Sequence, residues 1–488
     1  MRLITFFFLG IAMTTSPVLL DGQTFEDGIN AYAAEEYEIA AEIFKTLSLD
    51  GDAQAMARVG EMYYYGQGFP QNSTEAVKWY RRAAEHGFVK AQFELGRIYE
   101  VGYGISQDYT EAAKWYRLAA EQGNADAQYK IGWMYGLGRG VPQNYTEAAK
   151  WYQLAAEQGD ERAQRTLGEL YFSGIGVPRD YEEGIKWFRL AAEQGNTSTQ
   201  WKLGQIYYSG VGARHDDAEA AKWFKMAAEQ GHALAQNTIG SMYSKGKGVP
   251  RDDAEAAKWY LRAAEQGLDF AQRNLGDMYY FGTGVPQDYE EAVKWYRLAA
   301  EQRFDVAQRN LGEMYYNGKG VAQDYAEAAK WFRRAAELQD ADAQFGLGVM
   351  YQNGRGVKQD YEEAIKWYRL AAEQGNVWSQ HNLAGMYSDG YGVAKNYTEA
   401  AKWYRLAAEQ GMAESQFYLG MIYYNGEGVP QNFINAYILF NLAAAQGNED
   451  ARKNRDLISE ILASDQLADA QRLSSEWEVG EPLPLQGG

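Results

Sequence analysis

The chain has 488 residues, no cysteine and a formal net charge of −19. Because nucleic-acid affinity depends on basic groups that neutralise phosphates, this acidic balance argues against a nucleic-acid partner. The absence of cysteine excludes disulfides, thiolate metal sites and cysteine nucleophiles. A hydrophobic share of 46% is that of a folded protein, so we expect packing alone to hold the chain together.

The N-terminal segment has the pattern of a secretory signal peptide. No charge occurs from Leu3 to Leu20, and the apolar part, which ends at Met13, has the length of a signal h-region. The polar residues that follow make this run a poor membrane-spanning helix. We therefore expect residues 1–22 to be a signal peptide, cleaved between Ser16 and Gln23, and the mature protein to be periplasmic, envelope-associated or secreted. An uncleaved anchor is the alternative, and no other membrane contact is expected.

After a short N-terminal segment, one repeat organises the chain. A tryptophan recurs every 36 residues without insertion or deletion, at Trp79, Trp115, Trp151, Trp187, Trp223, Trp259, Trp295, Trp331, Trp367 and Trp403. A fixed period between 20 and 50 residues indicates a solenoid or another repeat array. Residues 52–447 divide into eleven units, which are 52–87, 88–123, 124–159, 160–195, 196–231, 232–267, 268–303, 304–339, 340–375, 376–411 and 412–447.

The first half of each unit predicts an amphipathic helix, here named helix A. In the unit 88–123, Ala91, Leu95 and Tyr99 recur at i, i+4 and i+8, which favours a helix over 90–101. A Gly-x-Gly pair follows in every unit. Because it follows a helix, it is interpreted as a helix stop and not as a phosphate-binding loop, which must follow a strand.

The second half of each unit predicts another helix, named helix B. In the same unit Asp108 is the expected N-cap and Glu111, three residues later, completes a capping box. Ten of the eleven units carry this Asp/Asn-x-x-Glu pattern, and only the pair Asn432 and Asn435 departs from it. Two helices joined by short loops form an αα-hairpin, so the predicted fold is all-α: an α/α solenoid in which helix–turn–helix units form a right-handed superhelix.

The two ends are expected to differ from the repeats, because the terminal units of a solenoid each have one face in water. Residues 23–51 keep the register of the repeat and predict an N-terminal capping helix pair. Residues 448–478 are more polar and predict C-terminal capping helices. The tail, residues 479–488, is predicted to be disordered.

These residues carry a family resemblance. The strings L-G-x-M-Y-x-x-G-x-G-V and E-A-x-K-W-Y-x-x-A-A-E-x-G, repeated over residues 52–447, resemble the Sel1-like repeat, a relative of the tetratricopeptide repeat. The resemblance implies a scaffold for protein–protein interaction, with helix A lining a concave groove. A cysteine-rich branch of that family is linked to penicillin binding, and nothing from it applies to a chain without cysteine.

Candidate binding residues lie where the repeat allows variation on helix A. The position two residues before the Leu-Gly pair varies from unit to unit, and so does the position after the pair. The two positions are four residues apart and share one helix face. Large aromatic residues and arginine are typical of interaction hot spots. The predicted partner-binding residues are Phe93, Tyr129, Trp133, Arg165, Trp201, Asn237, Arg273, Arg309, Phe345, His381 and Phe417.

Other interpretations of this face stay open. The same aromatic residues also suit packing between successive helices A. If the partner is a protein or peptide, we expect Arg165, Arg273 and Arg309 to matter, preferably for an acidic segment. If the ligand is envelope glycan or peptidoglycan, we expect Trp201 and Tyr129 to matter instead. A third alternative is a purely structural spacer with an empty groove.

The sequence indicates no enzyme. The four histidines, His86, His215, His232 and His381, occupy different places in the repeat, whereas a catalytic or metal site needs residues that converge. Most acidic residues are helix caps or solvated helix faces. We therefore predict no catalytic residue, no metal ligand and no cofactor.

Overall fold

The structure, a computed structural model, describes residues 22–486, which form two compact units, residues 22–227 and 228–486. Over the described residues there are 26 helices and no strand, which confirms the all-α solenoid fold. The helices of the first unit are α1 Phe25–Ala33, α2 Tyr37–Leu49, α3 Ala53–Tyr65, α4 Ser73–Glu85, α5 Val89–Val101, α6 Tyr109–Glu121, α7 Ala125–Leu137, α8 Tyr145–Glu157, α9 Glu161–Ser173, α10 Tyr181–Glu193, α11 Thr197–Ser209 and α12 Asp217–Glu229, which ends just inside the second unit.

The second unit continues the same alternation of helices. Its helices are α13 Ala233–Lys245, α14 Asp253–Glu265, α15 Asp269–Phe281, α16 Tyr289–Glu301, α17 Asp305–Asn317, α18 Tyr325–Glu337, α19 Ala341–Asn353, α20 Tyr361–Glu373, α21 Val377–Asp389, α22 Tyr397–Glu409, α23 Ala413–Asn425, α24 Phe433–Ala445, α25 Glu449–Ser459 and α26 Ser464–Glu476. The odd-numbered helices from α3 to α23 are the helices A, and the even-numbered ones from α4 to α24 are the helices B.

The Gly-x-Gly pair ends helix A and lets hairpins approach each other. Gly138, at the C-cap of α7, has φ +68°, in the left-handed region that glycine adopts without strain. Gly140 has φ +69°, and a Cβ atom there would lie only 2.0 Å from the carbonyl oxygen of Tyr109, at the start of the preceding helix B. The second glycine is therefore required by contact between hairpins.

Helix B has only half of the predicted capping box. The Asp108 carboxylate accepts the backbone N–H of Glu111 at 3.1 Å, as expected of an N-cap. The reciprocal bond from Glu111 to the Asp108 backbone is absent, which corrects the prediction. The reason is that the Asp108 N–H already donates to the carbonyl of Tyr99 in helix A, at 2.9 Å. Glu111 instead contacts Lys114, 3.3 Å away.

Buried glutamines connect each hairpin to the one before it. The side-chain Nε2 of Gln92 in α5 donates to the carbonyl of Ala84 in the preceding helix B, at 3.1 Å. Its Oε1 accepts from Nε2 of Gln122, at the end of its own helix B, at 2.7 Å. The same Gln–Gln bond, always 30 residues apart, recurs at Gln128/Gln158, Gln164/Gln194, Gln236/Gln266, Gln272/Gln302, Gln344/Gln374, Gln380/Gln410 and Gln416/Gln446.

Alanine and glycine in the interior bring the two helices of a hairpin together. Gly96 of α5 faces the ring of Tyr116 in α6 so closely that a Cβ atom would lie 2.7 Å from the ring. Ala112 and Ala119 on α6 are fully buried. Such close packing excludes water and stabilises each hairpin through contacts that larger residues would prevent.

The C-terminal tail differs from the expectation of disorder. The Gly480 N–H donates to the carbonyl of Glu409 at 2.8 Å, and Leu483 is buried. Asn435 forms two bonds with the backbone of one residue: its Nδ2 donates to the carbonyl of Gln486 at 3.0 Å, and its Oδ1 accepts the Gln486 N–H at 2.7 Å. The one helix B that lacks the glutamate of the repeat thus uses asparagine to hold the tail.

This contact resembles the contact between successive repeats. Thr398, in the first turn of α22, donates to the carbonyl of Gly428 in the next unit's loop at 2.8 Å. No further repeat follows α24, and the Gln486 carbonyl accepts instead from Asn435 in the first turn of that helix. The tail therefore takes the place of the loop that a further repeat would supply.

We expect Asn435→Glu to release this tail, because a carboxylate cannot donate to the Gln486 carbonyl and would repel it. Hydrogen exchange of the amides of residues 480–486, measured by mass spectrometry, should be faster by about tenfold or more, from the loss of the bond that Asn435 donates and the repulsion between the carboxylate and the Gln486 carbonyl. Asn448→Asp, which keeps the N-cap of α25, is the control and should leave tail exchange unchanged. Unchanged exchange in Asn435→Glu would show that other contacts hold the tail.

Each of the two predicted capping segments contains two helices. Residues 23–51 contain α1 and α2, and residues 448–478 contain α25 and α26. The predicted signal peptide lies outside the described residues except for Gly22. Over the part of the chain that is described, no helix is long and apolar enough to cross a membrane.

Candidate partner-binding face

The eleven predicted partner-binding residues all lie on helices A. Ten are half-buried and one, Arg165, is exposed, so none belongs to the fully buried core. The variable positions of the repeat thus lie at the boundary between core and solvent. Which of them contact a partner stays a prediction.

Six of these residues pack against a ring in their own hairpin. Each faces the aromatic residue that follows the repeat's tryptophan on helix B, or the position equivalent to it, with ring centroids 5.0–6.1 Å apart; the pairs are Phe93/Tyr116, Tyr129/Tyr152, Trp201/Phe224, Phe345/Tyr368, His381/Tyr404 and Phe417/Phe440. The alternative to a binding role was packing between successive helices A. These six residues do pack within the fold, but mainly against helix B of their own hairpin. Each of the six residues remains half-buried and thus partly accessible.

Two of the three predicted arginines are already neutralised within the chain. Arg309 contacts Asp342 at 2.8 Å and Asp340 at 3.1 Å, and Asp340 also caps α19. Arg273 lies 3.0 Å from Asp277, one turn further along α15. These ion pairs weaken the expectation that both arginines serve an acidic partner segment.

Arg165 is the exception among the three. Within residues 22–486 it has no ion pair and no side-chain hydrogen bond. Trp133, on the preceding helix A, has the charged groups of Lys130 and Arg139 over its ring, at 5.5 and 4.9 Å. The helix-A face of the first unit therefore carries both an unpaired cation and an aromatic residue that contacts two cations.

A cavity of about 290 Å³ lies on the helix-A face of the first unit. Its walls come from α3 and α5, with Tyr80 of α4 at the base, where burial raises the pKa of the Tyr80 hydroxyl above its usual value. Charged and aromatic residues alternate around it; those that line it include Arg58, Glu61, Tyr64, Tyr65, Lys90 and Arg97.

The second unit has a similar cavity, also of about 290 Å³, between α15 and α17. Burial raises the pKa of the Asp277 carboxyl at its base, while the Tyr296 hydroxyl, which donates to Asp277 at 2.7 Å, opposes that rise. Tyr280 and Phe281 form the wall at the end of α15. In each unit a cavity thus lies between consecutive helices A.

Several exposed aromatic residues lie beside the predicted ones. Tyr65 and Phe281, the last residues of α3 and α15, are 61% and 68% exposed, and Trp378 in the first turn of α21 is 55% exposed. Tyr418 of α23 is exposed and stacks on Tyr404, with centroids 5.5 Å apart. None of these residues is among the eleven predicted ones. A search for aromatic residues at every helix-A position outside the Leu-Gly core would have found them.

One histidine of this face contacts a serine of the next helix A. Burial lowers the pKa of the His381 imidazole, whose Nδ1 lies 2.9 Å from the hydroxyl of Ser415. Over the described part of the chain, no group of acidic, histidine or cysteine residues is placed to hold a metal ion.

Comparison with known proteins shows the family. The Sel1 repeat matches this chain eleven times, at residues 53–88, 89–124, 125–160, 162–196, 197–232, 233–268, 269–304, 305–340, 341–376, 379–412 and 413–448. A search of curated proteins finds no match.

Solved structures show the same relationship. A protective antigen present in uropathogenic Escherichia coli strains and displaying an SLR fold is 36% identical, with a TM-score of 0.76, over 91% of this chain and 95% of that one. A Sel1 repeat protein from Oxalobacter formigenes is 35% identical, with a TM-score of 0.53, over 62% of this chain and 89% of that one. The chain belongs to the Sel1 repeat family.

Proposed function

We propose that this protein is an exported, non-enzymatic scaffold that binds a protein or peptide partner on its helix-A face. The observation that carries the proposal is the position of the variable residues. On helix A, residues that the repeat keeps constant, such as Ala91, Gln92, Leu95 and Gly96, are buried, whereas the eleven predicted residues are half-buried or exposed. In each compact unit, variable positions also line a cavity between consecutive helices A. Extended surfaces of this kind are what repeat proteins use for recognition.

The structure alters which residues we expect to dominate binding. Arg273 and Arg309 lie in internal ion pairs, so their removal would disturb folding contacts as well as a partner. Tyr65, Trp378 and Arg165 are more exposed, and aromatic residues and arginine supply most of the energy in many interfaces. We therefore rank these three first.

Export is part of the proposal. The uncharged apolar run from Leu3 to Leu20 supports it. Glycan binding is the second candidate, because the exposed ring of Tyr418, stacked on Tyr404 and on the same face as Trp378, suits a sugar as well as a peptide.

Site-specific photo-crosslinking in the native host tests the proposal. A benzoylphenylalanine side chain is placed at Tyr65 or Trp378 on helix A, and at Tyr145, an exposed tyrosine of similar size on helix B, as the control. We expect a protein crosslink from the helix-A positions and none from Tyr145. Trp378→Ala should then weaken the captured complex by about 30-fold, the effect of a hot-spot residue worth about 2 kcal/mol.

Two outcomes would count against this function. Crosslinks from Tyr145 alone would move the interface to helix B. Crosslinks to no protein, together with retention of the wild-type protein but not Trp378→Ala on insoluble cell-wall glycan, would favour the glycan alternative.

A further inference from the structure

The unit 304–339 and the residue before it depart from the repeat at three neighbouring points. Arg303 and Gln339 stand where nearly every other unit ends in glycine, and Leu338 stands where most units have glutamine. Arg303 and Gln339 keep the left-handed backbone of the glycines that they replace, with φ +68° and +70°. Residues with side chains adopt this conformation at a cost in stability, and such costs concentrate at functional sites.

In other repeats of the second compact unit, a glutamine stands at the position of Leu338 and donates two hydrogen bonds. Nε2 of Gln302 donates to Oε1 of Gln272 and to the carbonyl of Gly267, both at 2.9 Å. Nε2 of Gln410 does the same with Gln380 and Gly375, at 2.9 and 3.1 Å. One side-chain –NH₂ group thus donates to two acceptors, which are the Oε1 of a glutamine and the backbone carbonyl of the glycine that ends the previous repeat.

Leu338 leaves both of the corresponding acceptors without a donor. Gln308 is 3% exposed, and its Nε2 still donates to the carbonyl of Ala300 at 3.0 Å, but its Oε1 is buried and has no hydrogen-bond partner. The carbonyl of Arg303, equivalent to that of Gly267, also receives no donor from the described residues. A buried acceptor without a partner is costly, so this arrangement favours any group that supplies an N–H.

The two residues that carry these oxygens line a cavity. Gln308, Arg303 and Leu338 line a space of about 440 Å³, together with Arg334, Glu301 and Glu337. The guanidinium of Arg334 lies over the ring of Trp331 at 4.4 Å, so that side chain is held in place. None of the partner-binding residues of the helix-A face lines this cavity.

We propose that this cavity binds a primary carboxamide, presented by an asparagine or glutamine side chain of a peptide or protein partner. Its –NH₂ group would donate to Oε1 of Gln308 and to the carbonyl of Arg303, and its oxygen would face the guanidinium groups of Arg303 and Arg334. The ligand thereby replaces the amide that every comparable Gln–Gln pair supplies from within the chain. This site is independent of the helix-A face and of the function proposed for it.

The absence of cysteine in the chain allows a direct test by disulfide tethering. Glu337→Cys in the full-length protein places a single thiol at the rim of the cavity. Two probes are offered as cysteamine disulfides with excess 2-mercaptoethanol: one ends in a propionamide and the other in the isosteric methyl ketone, which has no N–H. Mass spectrometry measures the labelled fraction, and we expect the amide probe to be captured about tenfold more strongly, from two added hydrogen bonds to buried acceptors.

Two matched variants decide the result. Glu373→Cys places the thiol at the same position of the next unit, where Gln374 already bonds to Gln344 at 2.8 Å, and should show no preference between the probes. Leu338→Gln combined with Glu337→Cys supplies the chain's own amide and should remove the preference, with unchanged helix content by circular dichroism. Equal capture of the two probes at Glu337→Cys, or a preference that persists with Leu338→Gln, would overturn the proposal.

Discussion

Gly140→Ala is expected to lower the local free energy of unfolding around α6 and α7 by about 2–5 kcal/mol. Two costs combine at this position. The backbone has φ +69°, which disfavours any residue with a Cβ atom, and that atom would lie 2.0 Å from the backbone carbonyl oxygen of Tyr109. A backbone oxygen at the start of a helix cannot move aside, so the hairpins must separate.

Gly159→Ala is the matched control for this prediction. Gly159 also has a left-handed backbone, with φ +91°, but nothing lies within 4 Å of the atom that alanine would add. The substitution should therefore cost only the free energy of holding a residue with a Cβ atom in the left-handed backbone conformation, about 1–2 kcal/mol. Because repeats unfold locally, hydrogen exchange of α6 to α8 is a better measure than a single melting temperature. Equal losses in both variants would mean that contact between hairpins contributes little.

Tyr116→Ala should have the second large effect, a loss of about 3–5 kcal/mol. The side chain is fully buried, its ring fills the space beside Gly96, and its hydroxyl donates to Glu100 at 2.5 Å. Neither glycine nor the neighbouring alanines can fill the cavity that the substitution would leave. Hydrogen exchange of α5 and α6 measures the loss.

Phe93→Ala provides the comparison that separates folding from binding. Phe93 contacts the same Tyr116 ring, at 5.6 Å, but is only half-buried. Its removal should cost about 1 kcal/mol of stability, since part of the ring is in solvent already. A loss as large as that of Tyr116→Ala would assign Phe93 to the core and remove it from the candidate binding residues.

The fold was predictable from the sequence because each local signal repeats ten or eleven times. The 36-residue period, the Gly-x-Gly stop and the Asp108 cap each agree with the structure, and consistency among such signals is what specifies one fold. The reciprocal half of the capping box was predicted wrongly, because it depended on a long-range bond between Asp108 and Tyr99 that no local pattern contains.

The candidate site was predictable only in outline. The variable positions indicated helix A, and the structure places all of them at the edge of the core. Whether an arginine is free or paired depends on which carboxylate the next hairpin brings near: Arg309 meets Asp340 and Asp342 across a hairpin boundary, whereas Arg165 meets none. The leucine at position 338 can be recognised in the sequence as a departure from the repeat. Only the Gln–Gln bonds of the structure show that it removes the donor to Oε1 of Gln308.

The contact between the C-terminal tail and Asn435 bears on how whole repeats can be gained or lost in evolution. Loops contact the preceding helix B at a constant separation of 30 residues, as Gly176 does with Thr146 and Gly428 with Thr398. Deletion or duplication of one whole period inside a compact unit therefore joins surfaces that already match. Only the terminal segments are specific to their positions, since α24 alone has the asparagine that holds the tail. Unequal recombination can thus lengthen or shorten the helix-A face in steps of one hairpin, and the same C-terminal residues still terminate the product.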